Sequence, residues 1–202
     1  MLAELVYHVA EMPEFAARCE SDEFRFKMVL YDALHRGFRL RLHVWRHGFA
    51  DTPHQHRFSY ASRILSGGYE HTTYTTGQDL APPHGFTQFD RHIPLGSEPV
   101  GSSIDSTEFK VTGIFPLGEG DYYFQSSDMD LSSTTVAPDT VTLFVRGPAV
   151  RPCSFQWHSQ SETVTWRAGD ATAPDTRRQE VAVQPEEVEE VFVRLRNLKV
   201  IP

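Results

Sequence analysis

Cysteine is scarce. Only Cys19 and Cys153 occur among 202 residues, far apart and without a C-x-x-C pair, which excludes a disulfide framework and a zinc ribbon. Basic residues are also short, 19 Lys and Arg against 27 Asp and Glu, giving a net charge of -8 and a pI near 5.6. Nonspecific nucleic-acid affinity needs clustered cations, so nucleic acid is not the expected partner. No apolar run approaches the roughly 20 residues of a membrane span. The opening Met1-Leu-Ala-Glu-Leu-Val-Tyr-His has neither the basic start nor the long apolar stretch of an export signal, and we expect a cytoplasmic protein. Internal repeats and low-complexity tracts are missing too. A small molecule, or a second copy of the chain as a homodimer, is the partner these absences leave.

What is there is ordinary for a globular protein, 40% hydrophobic and 23% charged residues. We expect one domain over residues 1–202, long enough to fold without a disulfide or metal staple. Leu2, Leu5, Val6 and Val9 fall at helical spacing, Pro13 interrupts, and Glu14 to Arg18 resumes the pattern, so short helices are expected in residues 1–20. Phe24 to Tyr31 and Phe38 to Trp45 alternate apolar with polar around a turn at residues 35–37, the pattern of a β-hairpin. Short strands rich in β-branched and aromatic residues are expected at 59–65, 69–74, 108–115, 121–125, 141–146, 154–158 and 162–167. Many short strands without intervening helices specify an all-β barrel or sandwich over residues 24–167. Residues 77–106, with four prolines and no clean period, are expected to be a long loop, and 168–184 a linker. Pro185-Glu-Glu then opens a helix over 185–199, with proline early and carboxylates at the positive end of the dipole. Its stripe of Val188, Val191, Phe192, Leu195 and Leu198 is expected to meet the barrel or a second subunit.

The segment that carries chemistry runs from Gly48 to Gly67 and contains His54-Gln-His56. Strand residues two apart share a face, so both imidazoles are expected to point into one cavity as half of a transition-metal site. Imidazole suits Fe, Ni, Cu, Zn and Mn alike. Tyr60 follows as a hydrogen-bond donor to a ligand or as a barrel-filling aromatic. Arg57 and Arg63 are candidates to clamp a substrate carboxylate, or outer-face residues in ion pairs. Tyr122, Tyr123, Phe124, Phe155 and Trp157 read as barrel core.

The spacing Gly48, five residues, His54-x-His56, three residues, Tyr60, six residues, Gly67 resembles the first motif of the cupin superfamily, with Tyr60 where many cupins place a glutamate ligand. That resemblance implies an all-β double-stranded β-helix, or jelly-roll, barrel, and it is nearest to cupins such as thiol dioxygenases that hold iron through three histidines. The family's second motif matches Gly120 to Ser132 loosely. Ser126 and Asp128 replace its proline and glycine, and its histidine slot falls on Leu131 or Ser132. Three completions stay open: Asp130 or Asp128 as a carboxylate ligand; His71, His84 or His92 as a third imidazole; or a metal-free site.

Two functions follow from the resemblance. The first is a metal-dependent cupin, a non-haem Fe(II) oxygenase acting on a small polar metabolite, with His54 and His56 holding the ion, Asp130 or His71 completing the set, and Tyr60 and Arg63 serving the substrate. The second is a metal-free cupin that binds a small molecule or runs isomerase, lyase or cyclase chemistry through acid and base groups.

Overall fold

The computed structural model describes residues 1–12, 14, 17, 19–33, 36–76, 91–94, 109–129, 131–151, 153–158, 163–168 and 183–202. The elements are α1 (Leu2–Ala10), β1 (Glu20–Ser21), β2 (Arg25–Ala33), β3 (Phe38–Trp45), β4 (Phe49–Ala50), β5 (Phe58–Ser66), β6 (Gly68–Thr75) and β7 (Arg91–Pro94), followed by β8 (Lys110–Gly118), β9 (Tyr122–Gln125), β10 (Leu131–Val136), β11 (Val141–Ala149), β12 (Cys153–His158), β13 (Thr163–Ala168) and α2 (Pro185–Asn197).

The fold is all-β with a helix at each end. Strands β1-β2-β3-β11-β5-β9 form a six-stranded antiparallel sheet, and β4-β10-β6-β8 form a four-stranded one facing it. A third ladder, β12-β13-β7, joins the four-stranded sheet through His54, which bridges Ser132 of β10 on one side and Gln156 of β12 on the other. At the β5–β6 turn Gly67 has φ +73, and a Cβ there would lie 2.6 Å from Thr140 Oγ1, so the second glycine of the motif is required by both backbone and space.

The six-stranded sheet has two chemically opposite faces because side chains alternate along each strand. Phe26, Met28 and Leu30 of β2, Leu42 and Val44 of β3, and Val141 of β11 point outward and form the main core with Val6 and Val9 of α1 and Val191, Phe192 and Leu195 of α2. Each such buried side chain contributes about 1.5–3 kcal/mol. The reverse face, with Arg25, Lys27, Arg41, His43 and Tyr60, turns into the barrel. Helix α2 is fixed at its start by a capping box, in which the Gln184 backbone N–H donates to the Glu187 carboxylate at 3.0 Å. Its apolar stripe is spent on the sheet.

Several expectations change. Within the stretch expected to be a long loop, residues 91–94 form β7, which pairs with β13 from Thr163↔Pro94 to Trp166↔Arg91, a partner some 70 residues away that leaves no local period to read; the rest of residues 77–106 lies outside the described residues. Residues Leu131–Val136 carry too many hydroxyls to announce a strand, yet form β10, whose inward positions face a polar interior. In β9 only alternate residues turn inward, so Tyr122 and Phe124 are 78% and 65% exposed rather than core. Most of residues 14–18 and 169–182 lie outside the described residues, as do His35 and His84.

Candidate small-molecule site in the barrel

Between the sheets is a cavity of about 200 Å³, lined by Asp51, His54 and His56, by Tyr60, Tyr69, Tyr123 and Ser132, and by Arg25, Lys27, Arg41, His43 and Trp45. Its size suits a small metabolite, below the range of drug-sized pockets.

His54 and His56 face the same cavity with ring centroids 4.6 Å apart. His54 does so from a bridge between β10 and β12, and His56 from the irregular segment that follows it. His54 Nδ1 lies 2.9 Å from the Thr52 carbonyl oxygen, which can only accept, so Nδ1 carries the hydrogen and a neutral ring keeps Nε2 as an acceptor. Asp51 Oδ2 stands 3.4 Å from the same nitrogen. Burial first, then His54, His71 and Arg25, holds His56 well below the usual imidazole range. Its Nδ1 is buried and makes no hydrogen bond among the described residues. His71, on β6, is 4% exposed, packs on Tyr123 with centroids 4.5 Å apart, and is brought down to about 4 by burial and by His54.

Tyr60 and Ser132 occupy two of the positions where the family motifs place metal ligands. Ser132 is the inward residue of the pair Leu131/Ser132 and stands opposite His54. The Tyr60 hydroxyl donates to Gln125 Oε1 at 2.7 Å, and the Ser132 hydroxyl donates to the same oxygen at 2.8 Å. Gln125 is 1% exposed and was not visible as a site residue in the sequence, because nothing but its register on β9, opposite Tyr60, marks it. Burial raises the pKa of Tyr60, pushes Tyr69 up to about 12 and holds Tyr123 well above its ordinary value. All three hydroxyls therefore keep their protons near neutrality.

The remaining candidates are placed elsewhere. Arg63 is exposed on the outer face of β5, because it is an odd number of residues from the inward Tyr60, Ser62 and Ile64; it does not reach the cavity. Arg57 is half-buried and does not line the cavity either. Asp128 is exposed and its backbone N–H donates to Ser126 Oγ. His92 is on β7, opposite Thr165. Asp130 lies outside the described residues. Among the described residues no three His, Cys, Asp or Glu side chains are grouped to hold an ion. The described donors thus do not fit the three-ligand set that the resemblance implies: two imidazoles are in place, His71 does not complete a group with them, and the Tyr60 and Ser132 hydroxyls are spent on Gln125.

No protein-family model matches the chain, and no curated protein matches it. Solved structures do. One is KdgF from Halomonas sp., at 10% identity and TM-score 0.39, covering 64% of this chain and 86% of that one. Another is a protein of unknown function with a cupin-like fold from Ralstonia eutropha JMP134, at 11% identity and TM-score 0.41, covering 87% and 75%. A third is the DMSP lyase DddQ from Ruegeria pomeroyi DSS-3, at 14% identity and TM-score 0.35, covering 63% and 45%. No helix among the described residues is long and apolar enough to cross a membrane.

Proposed function

We propose that this cupin-like chain binds a small metabolite in the barrel cavity and moves a proton on it with His54 and His56, without a resident metal ion, as an isomerase, lyase or cyclase. The observation that carries this reading is the convergence of Tyr60 and Ser132 on Gln125 Oε1, which puts a neutral hydrogen-bonded group at two positions where the motifs of the resembling family place ligands. Environment supports a division of labour. Groups whose pKa values are pushed apart serve as acceptor and donor respectively. His56 is kept unprotonated and can accept, while the tyrosines stay protonated and can donate. Position supports it too, since both imidazoles line the cavity and His54 presents a fixed tautomer.

The second reading is the Fe(II) oxygenase, and the close approach of the His54 and His56 rings at 4.6 Å favours it. It needs a further ligand beyond those described, and no step of the chemistry above is drawn through an ion. Elemental analysis of protein purified without chelator separates the two. We expect far less than one ion per chain, unchanged in a His54→Ala, His56→Ala double variant. One ion per chain in the parent, lost in that variant, overturns the metal-free reading.

A further inference from the structure

The outer face of the six-stranded sheet stays apolar beyond the part that the helices share. Register places Tyr31 opposite Leu40, Leu40 opposite Val145, Val145 opposite Ala61 and Ala61 opposite Phe124, so five strands contribute to one unbroken apolar row. The adjacent row, one residue along each strand and therefore on the inner face, is Asp32, Arg39, Arg146, Tyr60 and Gln125, each with a polar group. An antiparallel sheet with one wet face ordinarily puts its polar residues on that face. Here they turn inward and the apolar ones are left outside. The core that the sheet shares with α1 and α2 takes in Phe26, Met28, Leu42, Val44 and Val141, and Leu40 is half-buried at its margin, so the row continues that core sideways. At the ends of the row Tyr31 is 53% and Phe124 65% exposed, with Phe38 beside Tyr31 at 40% and Tyr122 two residues from Phe124 at 78%. Taking roughly 200 Å² for a large aromatic side chain, these four alone leave on the order of 450 Å² of ring surface open. That is about the largest patch an ordinary monomer shows, and more than half of the about 800 Å² that each partner gives to a stable interface.

We propose that this face is a homodimer interface, in which the outer faces of two six-stranded sheets pack on each other about a twofold axis. The inference does not depend on the chemistry assigned to the cavity. A second copy is the occupant that the surface fits. A twofold contact sets a patch against itself, so its centre has to be free of like charges, and the row from Tyr31 to Phe124 contains none. The nearest outward charge on β5, Arg63, stands two residues beyond Ala61, at the polar rim that interfaces carry. Between copies of a chain with net charge -8, an uncharged patch is also where approach is least opposed. Two sheet faces match in shape as well, since aligned sheets stack about 10 Å apart with their side chains interdigitated. Ala61 and Phe124 adjoin Tyr60 and Gln125 in the chain, so the second copy braces the two strands that hold the Tyr60–Gln125 hydrogen bond.

The test is sedimentation of the full chain over about 1–100 µM, with two single variants at opposite ends of the row, Phe124→Asp and Tyr31→Glu. The parent is expected at twice the 23.0 kDa of one chain. Each variant is expected to weaken the dimer at least about hundredfold, because both copies then bring an unpaired charge into the contact. Ile114→Asp, at a comparably exposed apolar site on β8 of the other sheet, is expected to leave the dimer intact. Circular dichroism and a thermal melt establish that each variant is folded, and if one of the two row variants does not fold the other decides. A monomeric parent overturns the proposal, whether the row stays bare or is covered by the chain's own remaining residues. A dimer that survives in either folded row variant overturns it as well. So does a dimer that Ile114→Asp breaks, since the contact then belongs to the four-stranded sheet.

Discussion

Tyr60 and Ser132, 72 residues apart in sequence, donate to a single oxygen, Gln125 Oε1, at 2.7 and 2.8 Å inside a barrel where all three side chains are at most 4% exposed. The contact joins strands of both sheets.

Removing the shared acceptor leaves two buried hydroxyls without it, and each unsatisfied buried group costs about 1–3 kcal/mol. Gln125→Leu is therefore expected to destabilise by about 2–5 kcal/mol. The triple variant Tyr60→Phe, Ser132→Ala, Gln125→Leu, which removes the donors as well, is expected to recover part of that loss. Urea unfolding of both variants is the measurement, and a triple variant weaker than Gln125→Leu alone contradicts the network.

Gly67 and Gly48 bound the same motif and are expected to respond differently. Gly67 combines a φ of +73 with a Cβ position 2.8 Å from the Thr140 Cα, so Gly67→Ala is expected to cost about 2–4 kcal/mol. At Gly48 the nearest atom to a Cβ is the Val136 carbonyl oxygen at 3.5 Å, and Gly48→Ala is expected to change stability by no more than about 1 kcal/mol. Thermal melts of the two variants decide; equal losses would refute the distinction.

Acid is expected to weaken the fold through its buried imidazoles. Burial, then Arg25, Arg41 and Lys27, holds His43 well below 6.5, and burial with His54 brings His71 to about 4. In the unfolded chain both titrate near 6.5, so between these values the unfolded state binds more protons than the native one. Their contribution to stability is complete above about pH 6.5 and is lost progressively as pH falls, for His71 by on the order of 3 kcal/mol as pH approaches its value of about 4. Unfolding midpoints measured across that window are expected to drop, and the drop is expected to be shallower in His43→Gln. An identical slope in that variant removes His43 from the account.

Arg63→Ala is expected to leave both ligand binding and stability nearly unchanged, within about 0.5 kcal/mol, because its side chain is exposed on the outer sheet face. If Arg63→Ala impairs either, the assignment of inner and outer faces on β5 is wrong.

Much of the fold was legible in the residues because it depends on local pattern. The alternation in Phe38–Trp45 reads directly as a strand, Pro185-Glu-Glu as a helix start, and Gly67 as the turn that the motif spacing demands. The hairpin's alternation did not say which face turns inward. With α1 and α2 covering the sheet from outside, the apolar face serves the helices and the charged face closes on the cavity, which inverts the habit of placing polar residues in solvent and hid Arg25, Lys27 and Arg41 as site residues. A signal was present: two amphipathic helices require an apolar sheet face to cover.

The sequence by itself determined that the chain is all-β, where its strong turns and terminal helices lie, and that two imidazoles stand one residue apart near a cupin-like motif, since spacing and propensity are properties of neighbouring residues. Only the tertiary structure decided that Ser132 rather than Leu131 faces His54, that Gln125 binds both Tyr60 and Ser132, that Arg63 points away, and that Arg25, Lys27 and Arg41 line one cavity with the histidines. These are matters of register and sheet face. A shift of one residue reverses every side chain on a strand, and what fixes the register is pairing between segments that lie far apart in the chain.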